Sequence, residues 1–461
     1  MDEQDNRIYH RIGLTKQLNM KRYQFIILLS ALTFSILKNA NAQEKTDSLS
    51  LEKVWKIAES QNRQLQLADL SRKESHITIL EAKDKSLPEL SVMGNYALNS
   101  KMLIYNDGLF SSPQNVPVSK YGYGFGYNLD FNIYNGGSDK RNIKIKQEEE
   151  IRNQHEFELQ HDHIKYAIAI AYYDLYKFLQ FRDFISTEIT TEKKQLQTIK
   201  TLNRNGVVLK SDVLRTAVKL SQLKLSHSDV EKKIQLAIQQ LNIYMGRQSE
   251  APLKINDQEG SSLNDEKYAE YEDYVAVALH KSPDYKISNS DIRLSELSIK
   301  QVKTSLLPKI SLYSRYNYTY PQASFYPYSN DLWGYGQTGI KLMFSLDNLY
   351  KSKHSIAHAR NRNDQEKEQA NIKKDEITIK VKEAFLQRQQ ALESLENAKE
   401  NIRQSTETVR VIRNSYLNQE SLLTDLLDAE NVLLEAKLTL TSAKVNLRLS
   451  HIRLLVITGI L

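Results

Sequence analysis

The segment YGYGFGYNLDFNI, residues 121–133, alternates strictly between large apolar residues and small or polar residues. Every odd position carries Tyr, Phe, Leu or Ile, and every even position carries Gly, Asn or Asp. Successive side chains of a β-strand point to opposite faces, whereas an α-helix repeats about every 3.6 residues. This period of two therefore predicts a β-strand with one apolar face and one small, polar face.

Three more strands are predicted, at about residues 90–100, 309–320 and 332–347. Their apolar residues recur at every second position, most clearly in Leu90, Val92, Tyr96 and Leu98, in Ile310, Leu312, Tyr316, Tyr318 and Tyr320, and in Ile340, Leu342, Phe344 and Leu346. Each segment has about the length that a tilted membrane strand needs. The loops at 113–117 and 321–327 are rich in proline, and we expect them to be extracellular.

The alternation assigns the faces of the central strand. We expect a lipid-facing row made of Tyr121, Tyr123, Phe125, Tyr127, Leu129 and Phe131. Four strands with open edges would leave unpaired backbone groups in hydrocarbon, at several kcal/mol for each group. Three copies would close a ring of twelve strands around an aqueous lumen. The sequence therefore predicts a homotrimer in contact with membrane lipid.

Most of the remaining chain has the composition and periodicity of long helices. Only 15 glycines and 8 prolines occur in 461 residues, and they cluster. Helical hairpins are predicted at about 138–245 and 350–455, each with a first arm of roughly 100 Å. Coiled-coil seams run along them, as in Leu426, Ala429, Leu433, Ala436, Leu440 and Ala443. These helices are too polar to span a bilayer, so we expect them in an aqueous compartment.

Shorter helices are predicted before each pair of strands. Leu51, Val54, Ala58 and Leu65 share one amphipathic stretch, and a longer one runs to about Ser86 before Pro88. The segment from Leu51 matches that from Tyr271, and Leu87-Pro88 matches Leu307-Pro308 at the same offset. The sequence therefore predicts two structural repeats, residues 43–256 and 257–461.

The N-terminus reads as a secretory signal. Lys21 and Arg22 precede an apolar run from Phe25 to Leu37, and Ala40-Asn41-Ala42 supplies a small-x-small cleavage pattern. Residues 1–42 are therefore predicted to be a signal peptide, with Met20 as an alternative start. The run is too short to span a bilayer comfortably. An uncleaved anchor is the alternative interpretation.

Several kinds of chemistry find no support. Cysteine is absent, which rules out disulfides and thiol chemistry. The net charge is only +7, and positive and negative residues are interspersed along the chain, which does not favour a nucleic-acid-binding surface. Gly122, Gly124 and Gly126 do not lead from a strand into a helix, as a nucleotide-binding loop would. His354 and His358 lack a third metal ligand and are interpreted as a solvated helix face. We expect no enzyme activity, cofactor, metal site or nucleic-acid partner.

The order of these features resembles the TolC-like outer-membrane efflux family over nearly the whole chain after the signal. The resemblance rests on Ser50-Leu51-Glu52 through Ala58-Glu59, the Leu-Pro entry to the strands, Asn135-Gly136-Gly137, and Asn418-x-x-Ser421-x-x-Thr424-Asp425-Leu426-Leu427-Asp428-Ala429. It implies a mainly α protein with a trimeric 12-stranded β-barrel, four strands per chain, continuous with a periplasmic coiled-coil barrel. It implies a passive channel in the outer membrane of a Gram-negative bacterium.

The resemblance also implies partners. These are a periplasmic adaptor (membrane fusion) protein and an inner-membrane transporter of the RND or ABC class, which supplies the energy. The adaptor would face the helix tips, at Asn205, Gly206, Val207, Leu209, Asn418, Ser421 and Leu422. A structural coiled-coil protein or a membrane-anchored periplasmic adaptor is the alternative, but it leaves the 121–133 strand unexplained.

A periplasmic gate is implied by the same resemblance. Asp425 and Asp428 correspond to aspartates that form acidic rings, and Asp212 and Tyr416 to residues that link the closed tips. The arginine of that link has no counterpart, because Ser421 stands in its place. Both Asp425 and Asp428 could instead be first-turn carboxylates that favour the helix dipole, and the two roles are compatible.

Overall fold

A computed structural model describes residues 48–256 and 270–461. The predicted signal peptide lies outside these described residues. The chain divides into two units, and the smaller one contributes only residues 48–49 and 252–254 to the described part. There the backbone N–H of Leu49 donates to the carbonyl of Lys254 at 2.9 Å. All the elements below belong to the larger unit, residues 50–251 and 255–461.

The described residues form eight α-helices and six strands. In chain order they are α1 (Leu51–Gln61), α2 (Arg63–Asp84), β1 (Glu89–Leu98), β2 (Met102–Ile104), β3 (Gln114–Val116), β4 (Tyr121–Asn135), α3 (Ser138–Arg204), α4 (Lys210–Tyr244), α5 (Tyr271–Lys281), α6 (Pro283–Val302), β5 (Lys309–Tyr320), β6 (Trp333–Met343), α7 (Asn348–Leu417) and α8 (Leu423–Thr458). A short 3₁₀ turn, Lys303–Leu306, leads from α6 towards β5.

The predicted first helix is interrupted at Asn62. Its side-chain oxygen accepts hydrogen bonds from the backbone N–H groups of Gln64 and Leu65, at 2.9 and 3.1 Å. This contact ends α1 and begins α2, because an asparagine that caps a helix has extended rather than helical backbone angles. Leu65 therefore belongs to the second helix, not to the stretch that begins at Leu51.

The last predicted strand is shorter in the structure. β6 ends at Met343, which pairs with Lys309, so Phe344 and Leu346 lie outside it. The next residue on the partner strand would be Pro308, which has no backbone N–H to continue the ladder. The chain turns instead, and the N–H of Asn348 donates to the carbonyl of Ser345 at 3.2 Å.

The four long strands form one antiparallel sheet in the order β1-β4-β5-β6. Within the part of the chain that the structure describes, β1 and β6 are edge strands, each paired on one side only. A separate two-stranded hairpin of β2 and β3, which the sequence analysis did not predict, lies in the loop between β1 and β4.

The register collects the apolar residues of neighbouring strands on one face. Tyr123 pairs with Tyr320 and Phe125 with Tyr318, and their rings stack with centroids 4.9 and 4.8 Å apart. Aromatic pairs across strands stabilise a sheet beyond the area that they bury. The row is open to its surroundings, since Tyr121 is 57% and Phe125 50% exposed.

The opposite face is small and polar on β4 but not on the other half of the sheet. Asp130 lies on this face with Arg315, at 3.7 Å between Asp130 Oδ1 and Arg315 Nη2. Tyr313 pairs with Asp130. Tyr335 pairs with Asn317, and its ring stacks on the ring of Trp333. The expected small, polar inner face therefore also carries aromatic rings, all of them from β5 and β6.

Two long antiparallel hairpins, α3–α4 and α7–α8, make up most of the helical part, and α6 packs on both α3 and α7. The small residues of the predicted seam, such as Ala391, Ala398 and Ser405, are buried. Within residues 48–256 and 270–461, none of the helices is both long enough and apolar enough to cross a bilayer.

Candidate functional site

The turns that join the two arms of each hairpin have matching backbone geometry. Asn205 and Asn418 end the first arms with nearly the same φ and ψ, −86° and 5° against −86° and 2°. The next residue is left-handed in both turns, with φ of 74° at Gly206 and 64° at Gln419. A left-handed residue after the last helical turn lets the following N–H groups satisfy the final carbonyls.

The second arms begin with the same aspartate contact. Asp212 Oδ2 accepts a hydrogen bond from the N–H of Leu209 at 3.2 Å, and Asp425 Oδ2 accepts one from Leu422 at 3.1 Å. A carboxylate in the first turn satisfies a backbone N–H that has no helical partner. The first-turn role weighed from the sequence for Asp425 is therefore present, and Asp212 makes the same contact.

Asp212 and Tyr416 come together in the fold. Burial, and then the nearby charge of Asp212, raises the pKa of the Tyr416 phenol above its ordinary value. The Tyr416 ring packs on an apolar cluster formed by both hairpins, whose members are Ile199, Val208, Val213, Leu423 and Leu427. The two residues predicted to link the tips are thus neighbours across the two hairpins.

The predicted acidic pair faces outward from α8. Asp425 and Asp428 are exposed, whereas Leu426, Leu427 and Ala429 between and beside them are buried. Ser421, which stands where the family has an arginine, donates to the carbonyl of Ile412 at 3.4 Å. Carboxylates one turn apart on an open helix face can attract cations without an internal ion pair.

The residues predicted to contact an adaptor are mostly exposed at the two turns. Leu209 and Leu422 are 72% and 69% exposed, and Val207 is 56% exposed. Asn205, Gly206 and Asn418 are exposed as well, whereas Ser421 is half-buried. Exposed apolar side chains at both turns form a candidate contact surface.

The sequence analysis missed a buried group of charges near the turns, which we name the inter-hairpin charge cluster. Its members are Glu188, Glu192, Lys219, Arg413 and Glu430. A signal for it exists in the heptad spacing, because Glu192 stands midway between the buried Ile185 and Ile199. Glu192 was missed because a charged residue at a seam position does not fit the apolar pattern that predicts a coiled-coil seam.

Comparison with known protein families shows which family part of this chain is similar to. Residues 275–460 match the sequence model of the family described as outer membrane efflux protein. This part of the chain is therefore similar to that family. The resemblance predicted from the sequence is thereby confirmed, and the matches are to channel proteins rather than to enzymes. An outer membrane efflux protein lies in the outer membrane with a periplasmic helical part.

Solved structures share the fold of this chain at low sequence identity. The outer-membrane channel OprN aligns with a TM-score of 0.74 at 15% identity, covering 89% of each chain. VceC from Vibrio cholerae aligns with a TM-score of 0.73 at 14% identity, covering 89% of this chain and 96% of its own. CusC aligns with a TM-score of 0.74 at 15% identity, covering 91% and 94%. No curated protein matches the sequence.

Proposed function

We propose that the protein is one subunit of a homotrimeric outer-membrane channel that passively conducts substrates out of the periplasm. The observation that carries the proposal is the sheet of β1, β4, β5 and β6, which joins an exposed aromatic face to two edges without partners in the described residues. Such a sheet is unstable in lipid until its edges are paired.

Three chains satisfy those edges in the simplest way. β6 of one chain would pair with β1 of the next, and three sheets would make a closed ring of about twelve strands. Tyr123, Phe125 and their stacked partners would face lipid. The Gly, Asn and Asp positions of β4 would face the lumen, together with the aromatic rings of β5 and β6.

The helical hairpins would extend the conduit into the periplasm. Each of α3 and α7 is about 100 Å long, since 67 and 70 residues rise about 1.5 Å each. Three pairs of hairpins would form a tunnel under the barrel. Asp425 and Asp428 would then lie as rings of carboxylates at its periplasmic end, with Asp212 and Tyr416 holding the neighbouring hairpins together.

Partners are proposed on the same basis. The exposed turns around Leu209 and Leu422 would contact a periplasmic adaptor protein, and an inner-membrane transporter of the RND or ABC class would supply the energy. A coiled-coil adaptor, the alternative considered from the sequence, has no use for a four-stranded sheet with an exposed aromatic face.

Purification and single-channel recording test the proposal. We expect the protein to require detergent for extraction, to have three times the chain's mass in that detergent, and to conduct ions in planar bilayers. A water-soluble monomer, or a detergent-solubilised trimer without conductance, would contradict it. Sequencing the mature N-terminus adds an independent check, because cleavage after Ala42 disfavours a membrane-anchored adaptor.

A further inference from the structure

The inter-hairpin charge cluster draws side chains from all four arms of the two hairpins. Lys219 Nζ of α4 lies 2.8 Å from Glu430 Oε2 of α8, 3.2 Å from Glu192 Oε2 of α3 and 3.5 Å from Glu188 Oε1 of α3. The other oxygen of Glu430 accepts a hydrogen bond from Arg413 Nη2 of α7 at 3.0 Å. Lys219 and Glu430 thus join one hairpin to the other.

The centre of the cluster is buried, whereas Glu188 is 18% exposed, and the charges of the five members do not balance. The side chain of Glu192 is 0% exposed, that of Glu430 4% and that of Lys219 7%. Three carboxylates face two cations, and the Arg413 side chain is half exposed to solvent. A buried site with an uncompensated negative charge is strongly unfavourable, because neither water nor a counter-ion offsets it.

Glu192 is the carboxyl group least satisfied by its neighbours. Among the described residues, neither of its oxygens has a hydrogen-bond partner of good geometry, although Lys219 Nζ lies 3.2 Å from Oε2, and the same holds for Glu188 Oε1 at 3.5 Å from Lys219 Nζ. One oxygen from each of Glu188, Glu192 and Glu430 lies within 4.8 Å of the other two. A proton on Glu192 would remove the excess charge and supply a donor to a neighbouring carboxylate.

We propose that the inter-hairpin charge cluster is a proton-binding site, in which Glu192 holds one exchangeable proton that keeps α3, α4 and α8 packed near the periplasmic turns. Loss of that proton places a third carboxylate charge beside Glu188 and Glu430 without a new cation. The resulting repulsion falls on the contact between the two hairpins, because Glu430 belongs to one of them and Glu188 and Glu192 belong to the other.

The surroundings act on the titration in a consistent direction. Burial raises the pKa of Glu192, and the charges of Glu430 and Glu188 raise it further, against the opposing attraction of Lys219. Burial would lower the pKa of Lys219, but the hydrogen bond and charge of Glu430 outweigh it and raise that pKa. Lys219 therefore stays charged while Glu192 takes or releases its proton.

Raised pKa values give the sign of the pH dependence. A carboxyl with a higher pKa in the folded protein binds more protons there than in the unfolded chain. The stabilisation is fully present below the ordinary pKa of 4.5 and is lost as the pH rises through the raised value. The hairpin contact is therefore expected to loosen on the alkaline side of this titration.

The position of the cluster gives this proton a structural consequence. Glu192 precedes the end of α3 by 12 residues and Glu430 follows the start of α8 by seven, which places them roughly 10–18 Å from the turns along the helices. Coupling between the proton and the spacing of the turns rests on the proposed channel function. Proton binding itself does not, and it is measured separately.

Infrared spectroscopy of the purified protein tests the proton directly. We expect the C=O stretch of a protonated carboxyl group, lost on titration to higher pH, in the native protein and in the control Glu435→Gln, at an exposed position of α8, and its absence in Glu192→Gln. After correction for the intrinsic pH dependence of amide exchange, the protection of residues 185–199 should fall with rising pH in the native protein and stay constant in Glu192→Gln. An unchanged band in Glu192→Gln, or its loss in Glu435→Gln, would overturn the assignment.

A second variant keeps the test decisive if Glu192→Gln fails to fold. Lys219→Met removes the cation that favours ionised Glu192, so the carboxyl band should persist to higher pH than in the native protein. Lys224→Met, at an exposed position of α4 one turn away, is the control and should leave the band's midpoint unchanged. An equal midpoint in all three proteins would overturn the proposal. A chelator that abolishes the pH dependence of hydrogen exchange would also overturn the proposal, because the cluster would then hold a metal ion.

Failure of the channel function would give a different result. A protein that binds the proton but does not conduct refutes the proposed function and leaves the proton site in place. A conducting trimer without the carboxyl band refutes the proton site alone.

Discussion

Asp425 and Asp428 lie one helical turn apart at the start of α8, and their surroundings differ. Asp425 accepts a hydrogen bond from the N–H of Leu422, so its carboxylate supports the turn as well as any passing cation. Asp428 is exposed and has no ion pair within the described residues. The capping and gating interpretations therefore coexist at Asp425, while Asp428 is the cleaner probe of gating.

Replacing both residues with asparagine tests the acidic ring. The double variant Asp425→Asn/Asp428→Asn should lower the cation preference of the channel and weaken block by multivalent cations, because six carboxylate charges leave the proposed trimer. Single-channel recording measures both quantities. Asp375→Asn is the control, since Asp375 is exposed on α7 far from the turns. Equal selectivity in the double variant and the native channel would remove these residues from the gate.

The two turns offer a matched exchange at their left-handed positions. Gln419 adopts a φ of 64°, where a side chain is strained, whereas glycine occupies the equivalent place at Gly206. Gln419→Gly should raise the free energy of unfolding by about 1 kcal/mol, and Gly206→Gln should lower it by a similar amount, as measured by thermal unfolding. No neighbour lies within 4 Å of a Cβ added at Gly206, so only the backbone term is measured. A destabilised Gln419→Gly variant would mean that its side chain contributes contacts of its own.

At the scale of the element, the sheet depends on close approach between β4 and β5. A Cβ built on Gly126 would lie 2.2 Å from the backbone oxygen of Tyr316, whereas one on Gly94 would lie 3.9 Å from the nearest atom, the oxygen of Gly124. Backbone atoms in a paired strand cannot move away as a flexible side chain can. Glycine at 126 is therefore a packing requirement as well as part of a polar face.

A pair of alanine substitutions separates these two roles. Gly126→Ala should lower the free energy of unfolding of the proposed trimer by about 1–3 kcal/mol through overpacking, and Gly94→Ala should leave it nearly unchanged. Heat-resistant trimer on a denaturing gel is the readout. Similar melting of both variants would show that the β4–β5 contact relaxes more easily than the structure indicates.

The helices follow the same logic as the sheet, with local signals setting the ends and long-range contacts setting the pairing. Asn62 breaks α1 from α2 by accepting two backbone N–H groups, and a proline before Lys309 limits the length of β6. Both features are readable in hindsight. The first was hidden because Leu65 continues the apolar spacing of Leu51, Val54 and Ala58.

At the scale of the whole molecule, the unpaired edges of β1 and β6 predict which strands meet in the assembly. The native chain has no cysteine, so introduced pairs report without background. A cysteine at Thr338 in β6, combined with single cysteines scanned along residues 90–97 of β1, should give oxidised covalent trimers at one or two positions. Thr338→Cys alone should give none. Covalent dimers without trimers, or no linked product, would contradict closure of a three-chain ring.

Much of the architecture was accessible from the sequence because its patterns are local. The alternation of residues 121–133 predicts β4, the heptads predict the hairpins, and the 418–429 motif indicates a resemblance that the match of residues 275–460 to the efflux-protein family model then confirmed. The gate residues, the adaptor surface and the trimer stay predictions. They concern contacts between chains, which the backbone of a single chain does not determine.

The sequence by itself determined the four long strands and the two helical hairpins, since side-chain periodicity acts over a few residues. Only the tertiary structure decided that Lys219 would lie 2.8 Å from Glu430, a residue 211 positions away, with Glu192 sealed beside them. It also put Asp212 next to Tyr416, and aromatic rings of β6 on the same face of the sheet as the glycines of β4. Such contacts depend on which helix packs on which, and packing is a property of the complete fold.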